Sequence, residues 1–167
     1  MTHTIRTPIN AYEVLEMAQR IEKNGTRFYR KAAEKTSLQD LRQVLLKLAS
    51  DEEEHEKIFA EMSEQLAYEE RKVTLFEPVT EIADYLSALA DSKVFNLGED
   101  VSSHLAGKQN VADILKMAID KEKDSIVFYL GLKDCVPQPA GREKIDAILK
   151  QEMGHISLLS HQLEHCE

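Results

Sequence analysis

Along the chain, apolar residues recur at alternating spacings of three and four over four long stretches, which is the period of a helix with one buried face. The stretches span roughly residues 10–35, 37–66, 110–136 and 139–165. The first seam reads Leu15, Ala18, Glu22, Gly25, Tyr29, Ala32, and the third Leu115, Ala118, Glu122, Ser125, Tyr129, Leu132. The second reads Leu38, Leu41, Leu45, Leu48, Glu52, His55, Phe59, Met62, Leu66, and the fourth Ile145, Ile148, Glu152, His155, Leu159. Three starts carry a side-chain acceptor followed three residues later by an acid: Asn10 with Glu13, Ser37 with Asp40, and Asn110 with Asp113. That pairing marks a helix N-terminus. Short links, near Thr36 and across Pro137–Gly141, make each pair of helices an antiparallel hairpin. Residues 67–109 are too long for a plain loop. Within them residues 78–91 read as a short helix with Ile82, Tyr85, Leu86 and Leu89 on one face, and residues 93–109 read as irregular. The expectation is one all-α domain over residues 1–167, a four-helix bundle with a single long crossover between helices two and three.

Every seam is apolar except at mid-length, where it carries a carboxylate. Four consecutive acids and a histidine, Asp51 to His55, interrupt the second helix. Only Glu52 and His55 fall on its seam; Asp51, Glu53, Glu54 and the following Glu56 fall off it and are expected in solvent. The two halves also match one another. Residues 18–29 align with 118–129, and 52–55 with 152–155, both at an offset of 100, as a duplication would leave them. Burying one bare carboxylate costs several kcal/mol or forces its protonation, and no seam Lys or Arg is at hand to neutralise four. Two divalent cations would. One Glu from each of two helices, with Glu-x-x-His from each of the other two, is the donor set of dinuclear carboxylate sites in bundles. Here the set is Glu22, Glu52, His55, Glu122, Glu152 and His155. A single Glu-x-x-His on a charged helix carries little; the duplicated set at one level carries the expectation.

Composition narrows the setting. A net charge of −9 argues against nucleic acid or an anionic membrane as partner. No apolar run reaches the length of a membrane span, and the first residues lack a signal-peptide core, so the expected compartment is cytoplasmic. Cys135 and Cys166 form no Cys-x-x-Cys pair, which excludes a rubredoxin-type iron site and a zinc ribbon. They end opposite poles of an antiparallel hairpin, roughly 35–40 Å apart at about 1.5 Å per residue, so an intrachain disulfide is excluded. His161 and His165 have i, i+4 spacing beside Cys166; a solvated terminal turn explains them better than a surface metal site. His3 and His104 suggest nothing specific.

At the six Glu and His positions the chain resembles the rubrerythrin branch of the ferritin-like superfamily, over all four helices. The resemblance implies a ferritin-like bundle holding two iron ions, with manganese or zinc as alternatives that the donors do not exclude. It implies that Glu52 and Glu152 bridge the metals, that Glu22 and Glu122 are terminal, and that His55 and His155 each cap one metal. Tyr29 and Tyr129 match tyrosines that hydrogen-bond ligand carboxylates in the family; core packing with a satisfied hydroxyl is the alternative. Two departures stand out. The chain ends without a rubredoxin domain, so reducing equivalents would come from a separate donor. An extra carboxylate that rubrerythrins place one turn after the third helix's terminal Glu is here Ser125, with Gly25 as its repeat mate. Those small residues either leave an access pocket for O2 or peroxide or let helices approach closely. The implied activity is reduction of peroxide or O2. A ferroxidase that handles iron itself, manganese catalase chemistry, and a metal-stabilised binding module without turnover are the alternatives. The long crossover is compatible with helix exchange in a homodimer.

Overall fold

A computed structural model of the chain describes residues 10–66 and 110–166, together with Tyr68, Arg71, Glu81, Ile82, Tyr85, Leu86 and Ala88. Four long helices make up the described bundle: α1 (Ala11–Lys35), α2 (Gln39–Gln65), α3 (Val111–Cys135) and α4 (Pro139–Glu164). The Asn10 carboxamide accepts from the Glu13 amide at 2.9 Å while Glu13 accepts from the Asn10 amide at 2.9 Å, so α1 opens with a full capping box. Asn110 caps α3, but through the Ala112 amide at 2.9 Å. The expected cap at Ser37 does not form. Leu38 is the N-cap, exposed and without a side-chain cap, because the Thr36 hydroxyl already takes the Leu38 amide at 3.2 Å. Leu38 therefore drops out of the buried seam, which starts at Leu41. Pro139 opens α4 at a position where its missing N–H costs nothing.

The seams bury two apolar clusters, one at each end of the bundle. The first gathers Leu15, Phe59, Met62, Phe128, Leu132 and Ile145 with Val136 and Leu66. The second gathers Phe28, Ala32, Leu45, Leu48, Leu115 and Leu159, with Val111 packed against it. Thus α2 finishes at one end and α3 starts at the other, so α2 and α3 run parallel and the chain between them must travel the length of the bundle. That is the all-α, ferritin-like arrangement, with α1 also packed on α3 and α2 on α4. Of the short crossover helix expected at 78–91, Glu81, Ile82, Tyr85, Leu86 and Ala88 are helical. Leu86 is fully buried and packs on Gly131, where a Cβ would meet its Cδ2 at 2.8 Å. Tyr85 is exposed, and Leu89 and residues 93–109 lie outside the described residues. Cys135 is buried in the first cluster and Cys166 borders the second; both are free thiols. No helix among the described residues is long and apolar enough to cross a membrane.

Candidate metal centre

Between the two apolar clusters lies a polar belt. Glu22, Glu52, His55, Glu122, Glu152 and His155 all sit there, none more than 6% exposed. They form two groups: Glu22, Glu52, His55 and Glu152, and Glu52, Glu122, Glu152 and His155. Within each group the donor atoms lie within 4.8 Å of one another, and Glu52 and Glu152 belong to both. Each histidine turns Nδ1 inward. His55 Nδ1 is 3.2 Å from Glu152 Oε1 and 3.6 Å from Glu22 Oε2. His155 Nδ1 is 3.0 Å from Glu152 Oε2, 3.3 Å from Glu52 Oε1 and 3.6 Å from Glu122 Oε1. The rings lie nearly parallel, 24° apart, with centroids 5.9 Å from each other.

Burial and crowding control the protonation of this belt. Burial, opposed by a hydrogen bond with Glu52 and reinforced by the charge of Glu152, holds Glu22 well above the usual carboxylate range. Burial and then the charge of Glu22 do the same to Glu52, and burial and the charge of Glu52 do so to Glu122. Burial would raise Glu152 as well, but hydrogen bonds with His155, His55 and Glu122 outweigh it and hold that carboxyl at about 2. Burial acts against a charged His155; its hydrogen bonds to Glu122, Glu152 and Glu52 overcome this and push it up to about 12. Even so, Glu22 Oε2, Glu52 Oε1, Glu152 Oε1 and His55 Nδ1 are buried without a well-aligned hydrogen bond, although His55 Nδ1 faces Glu152 Oε1 at 3.2 Å and His155 Nδ1 faces Glu52 Oε1 at 3.3 Å. Orphaned buried polar atoms cost about 1–3 kcal/mol each, more when charged. Four of them converging on one point suit a cation and little else, so the donor set fits a metal pair.

The tyrosines act across the repeat. Tyr29 on α1 donates to Glu122 on α3, and Tyr129 on α3 donates to Glu22 on α1. Burial first, then nearby carboxylates, raises both phenols well above 10, so each keeps its proton and remains a donor. Both rings also pack in the core, Tyr129 against Phe59 with centroids 5.0 Å apart.

Gly25 and Ser125 line a cavity of about 40 Å³ whose walls include Glu52 and Glu122. A water needs roughly 10–15 Å³ measured this way, so a molecule of the size of O2 or peroxide has room. A Cβ on Gly25 would stand 3.0 Å from Glu52 Oε2, so the glycine also admits the close approach of that carboxylate.

Sequence reasoning missed four neighbours. Asp51, expected in solvent, lies half-buried with Oδ2 3.4 Å from His155 Nε2. Gln151 Oε1 lies 2.6 Å from His55 Nε2. Both precede a Glu-x-x-His by one residue, which is the available signal. Lys121 and Asp124, off the α3 seam, line the cavity beside Ser125, with Lys121 Nζ 5.3 Å from the Phe28 ring centroid. Glu53 and Glu54 do face outward, pairing with Arg30 and Lys57. The His161 and His165 rings lie tilted with centroids 4.3 Å apart, and no third donor joins them among the described residues.

Fold and belt together place the molecule among ferritin-like carboxylate bundles with a buried Glu/His site suited to two metals. The rubrerythrin family model matches residues 13–163, and the chain belongs to that family. A crystal structure described as that of a ferritin-like diiron-carboxylate protein from Thermotoga maritima superposes with a TM-score of 0.74. It is 28% identical, and the match covers 95% of this chain and 97% of that one. No curated protein sequence matches.

Proposed function

We propose that this protein is a di-iron oxidoreductase that reduces peroxide or O2 with electrons from a separate donor. Glu52 and Glu152 would serve both ions, Glu22 and His55 one of them, and Glu122 and His155 the other. The bound pair supplies two electrons at one place, enough to break a peroxide O–O bond and, with two protons, leave two waters. Everything else falls to the chain. Tyr29 and Tyr129 fix the orientation of Glu122 and Glu22 and keep their own protons at Oη. The apolar clusters above and below the belt exclude bulk water. The small cavity at Gly25 and Ser125 sorts by size.

That cavity is the observation that carries the reading: it leads a molecule of a few atoms to Glu52 and Glu122. Its modest volume favours a small molecule over a bulky one. The resemblance to a named diiron-carboxylate protein supports iron over manganese or zinc. The test is metal analysis of protein purified without air, then stopped-flow mixing of the reduced, iron-loaded protein with peroxide or with O2. Oxidation by one of them within seconds, with turnover when a reductant is added, is expected. A loaded protein inert to both would leave a metal-stabilised binding module in its place, and oxidation of added Fe2+ in excess of two per chain would mark a ferroxidase.

A further inference from the structure

The chain's two halves are not copies at one decisive pair of positions. Residue 51 and residue 151 occupy the same place in the repeat, each one residue before its Glu-x-x-His. Each reaches across the bundle to the outer nitrogen of the histidine on the other helix. Asp51 on α2 stands 3.4 Å from His155 Nε2, and Gln151 on α4 stands 2.6 Å from His55 Nε2. An ionised carboxylate can only accept, so His155 keeps the proton on Nε2 toward Asp51, and Nδ1 is the nitrogen that would give up its proton to a cation. An amide oxygen imposes the same tautomer on His55 but brings no charge.

Resting on the metal-site reading above, we infer that the two cation positions are unequal, the one at Glu122 and His155 binding more tightly because Asp51 stands behind its imidazole. A carboxylate behind a ligating histidine raises the basicity of the inward nitrogen, and such outer partners are worth about 10–100-fold in metal affinity. The shared donors Glu52 and Glu152 cancel in the comparison, as do the terminal Glu22 and Glu122, each held by one tyrosine. What does not cancel is one full negative charge. Lys47 pairs with the same Asp51 oxygen at 2.5 Å from the solvent side, but its side chain is 67% exposed, so this is a weak surface pair that leaves Asp51 a carboxylate. Asp51 is a positioning residue here; it touches the histidine and not the metal.

The experiment is anaerobic titration of metal-free full-length protein with Co2+, followed by its visible spectrum and by calorimetry. Wild type should fill in two steps at least about tenfold apart. His155→Ala should remove the tighter step and His55→Ala the weaker. Asp51→Asn should pull the steps together, Asp51→Glu should restore their separation, and Gln151→Glu should close it from the other side by strengthening the weaker step. A merely structural role for Asp51 would shift the melting temperature without moving the second step relative to the first. Two equal steps in wild type, or a separation unchanged by both Asp51→Asn and Gln151→Glu, would overturn the inequality and leave the metal site standing. Failure of Co2+ and Fe2+ alike to bind would overturn both.

Discussion

The carboxylates of the belt differ in how many cations each can serve, and substitution separates them. Glu52 and Glu152 belong to both donor groups, so changing either to Ala should strip the protein of both metals. His55→Ala or His155→Ala should lower the metal content from about two to about one per chain, read by elemental analysis. A fully loaded double variant at Glu52 and Glu152 would refute the assignment. Ser125 offers a sharper question about chemistry. It lines the cavity at the position where the family's peroxide-reducing members carry a carboxylate. A charged oxygen there would favour the oxidised metals far more than a hydroxyl does. Ser125→Glu should therefore shift the ratio of oxidation rates toward peroxide over O2, measured by stopped flow with each oxidant. If wild type already strongly prefers peroxide and the variant does not differ, the position has no such role. Gly25 shows how local identity hid its reason: the sequence left a pocket and a close helix approach equally open, whereas a carboxylate oxygen 3.0 Å from its missing Cβ joins the two.

Helix ends test how well local signals foretell structure. Asn10 forms a full capping box, so Asn10→Ala should cost about 1 kcal/mol of unfolding free energy. Ser37→Ala should be near neutral, although the two starts look alike in sequence, because Leu38 is the N-cap of α2. Equilibrium denaturation of both variants checks this; equal losses would put a working cap at Ser37. The three other starts fall within one residue of expectation, marked by side-chain caps at α1 and α3 and by Pro139 at α4. At α2 they compete, and the Thr36 hydroxyl takes the local amide first.

Across the bundle, metal and proton are rivals for the same donors, which makes stability depend on pH in opposite ways with and without metal. Glu22, Glu52 and Glu122 lie well above 4.5 in the metal-free fold. Their contribution is complete below the unfolded value of 4.5 and is lost as pH rises. His155, at about 12 against an ordinary 6.5, contributes fully below 6.5 and loses its contribution progressively as pH rises from there to about 12. Glu152, at about 2, works the other way: its contribution is present above 4.5 and lost only in strong acid. From about pH 5 to 8 the losses dominate, so the metal-free protein should melt at falling temperature. Metal affinity rises over the same range as protons leave the donors, so the gap to the metal-loaded protein should widen. Melting curves that stay parallel from about pH 5 to 8 would mean that the carboxylates do not act as one buried cluster. The apolar clusters at either end remain intact without metal, so the fold should survive its removal.

Helical period alone was enough to place Glu22, Glu52, His55, Glu122, Glu152 and His155 on inward faces, because it decides orientation about each axis; their shared mid-length position on helices of similar length put them near one level. A charged belt in four apolar seams then needs a neutralising partner whatever the packing details. Which groups meet across the belt was a different matter. That Tyr29 reaches Glu122 on α3 and not Glu22 two turns away on its own helix depends on how α1 is set against α3. That Asp51 and Gln151, still in reach of solvent, back the opposite histidines depends on the rotation of α2 against α4. Both are distances between separate helices, and a one-dimensional pattern holds no term for the rotation and axial offset that set them.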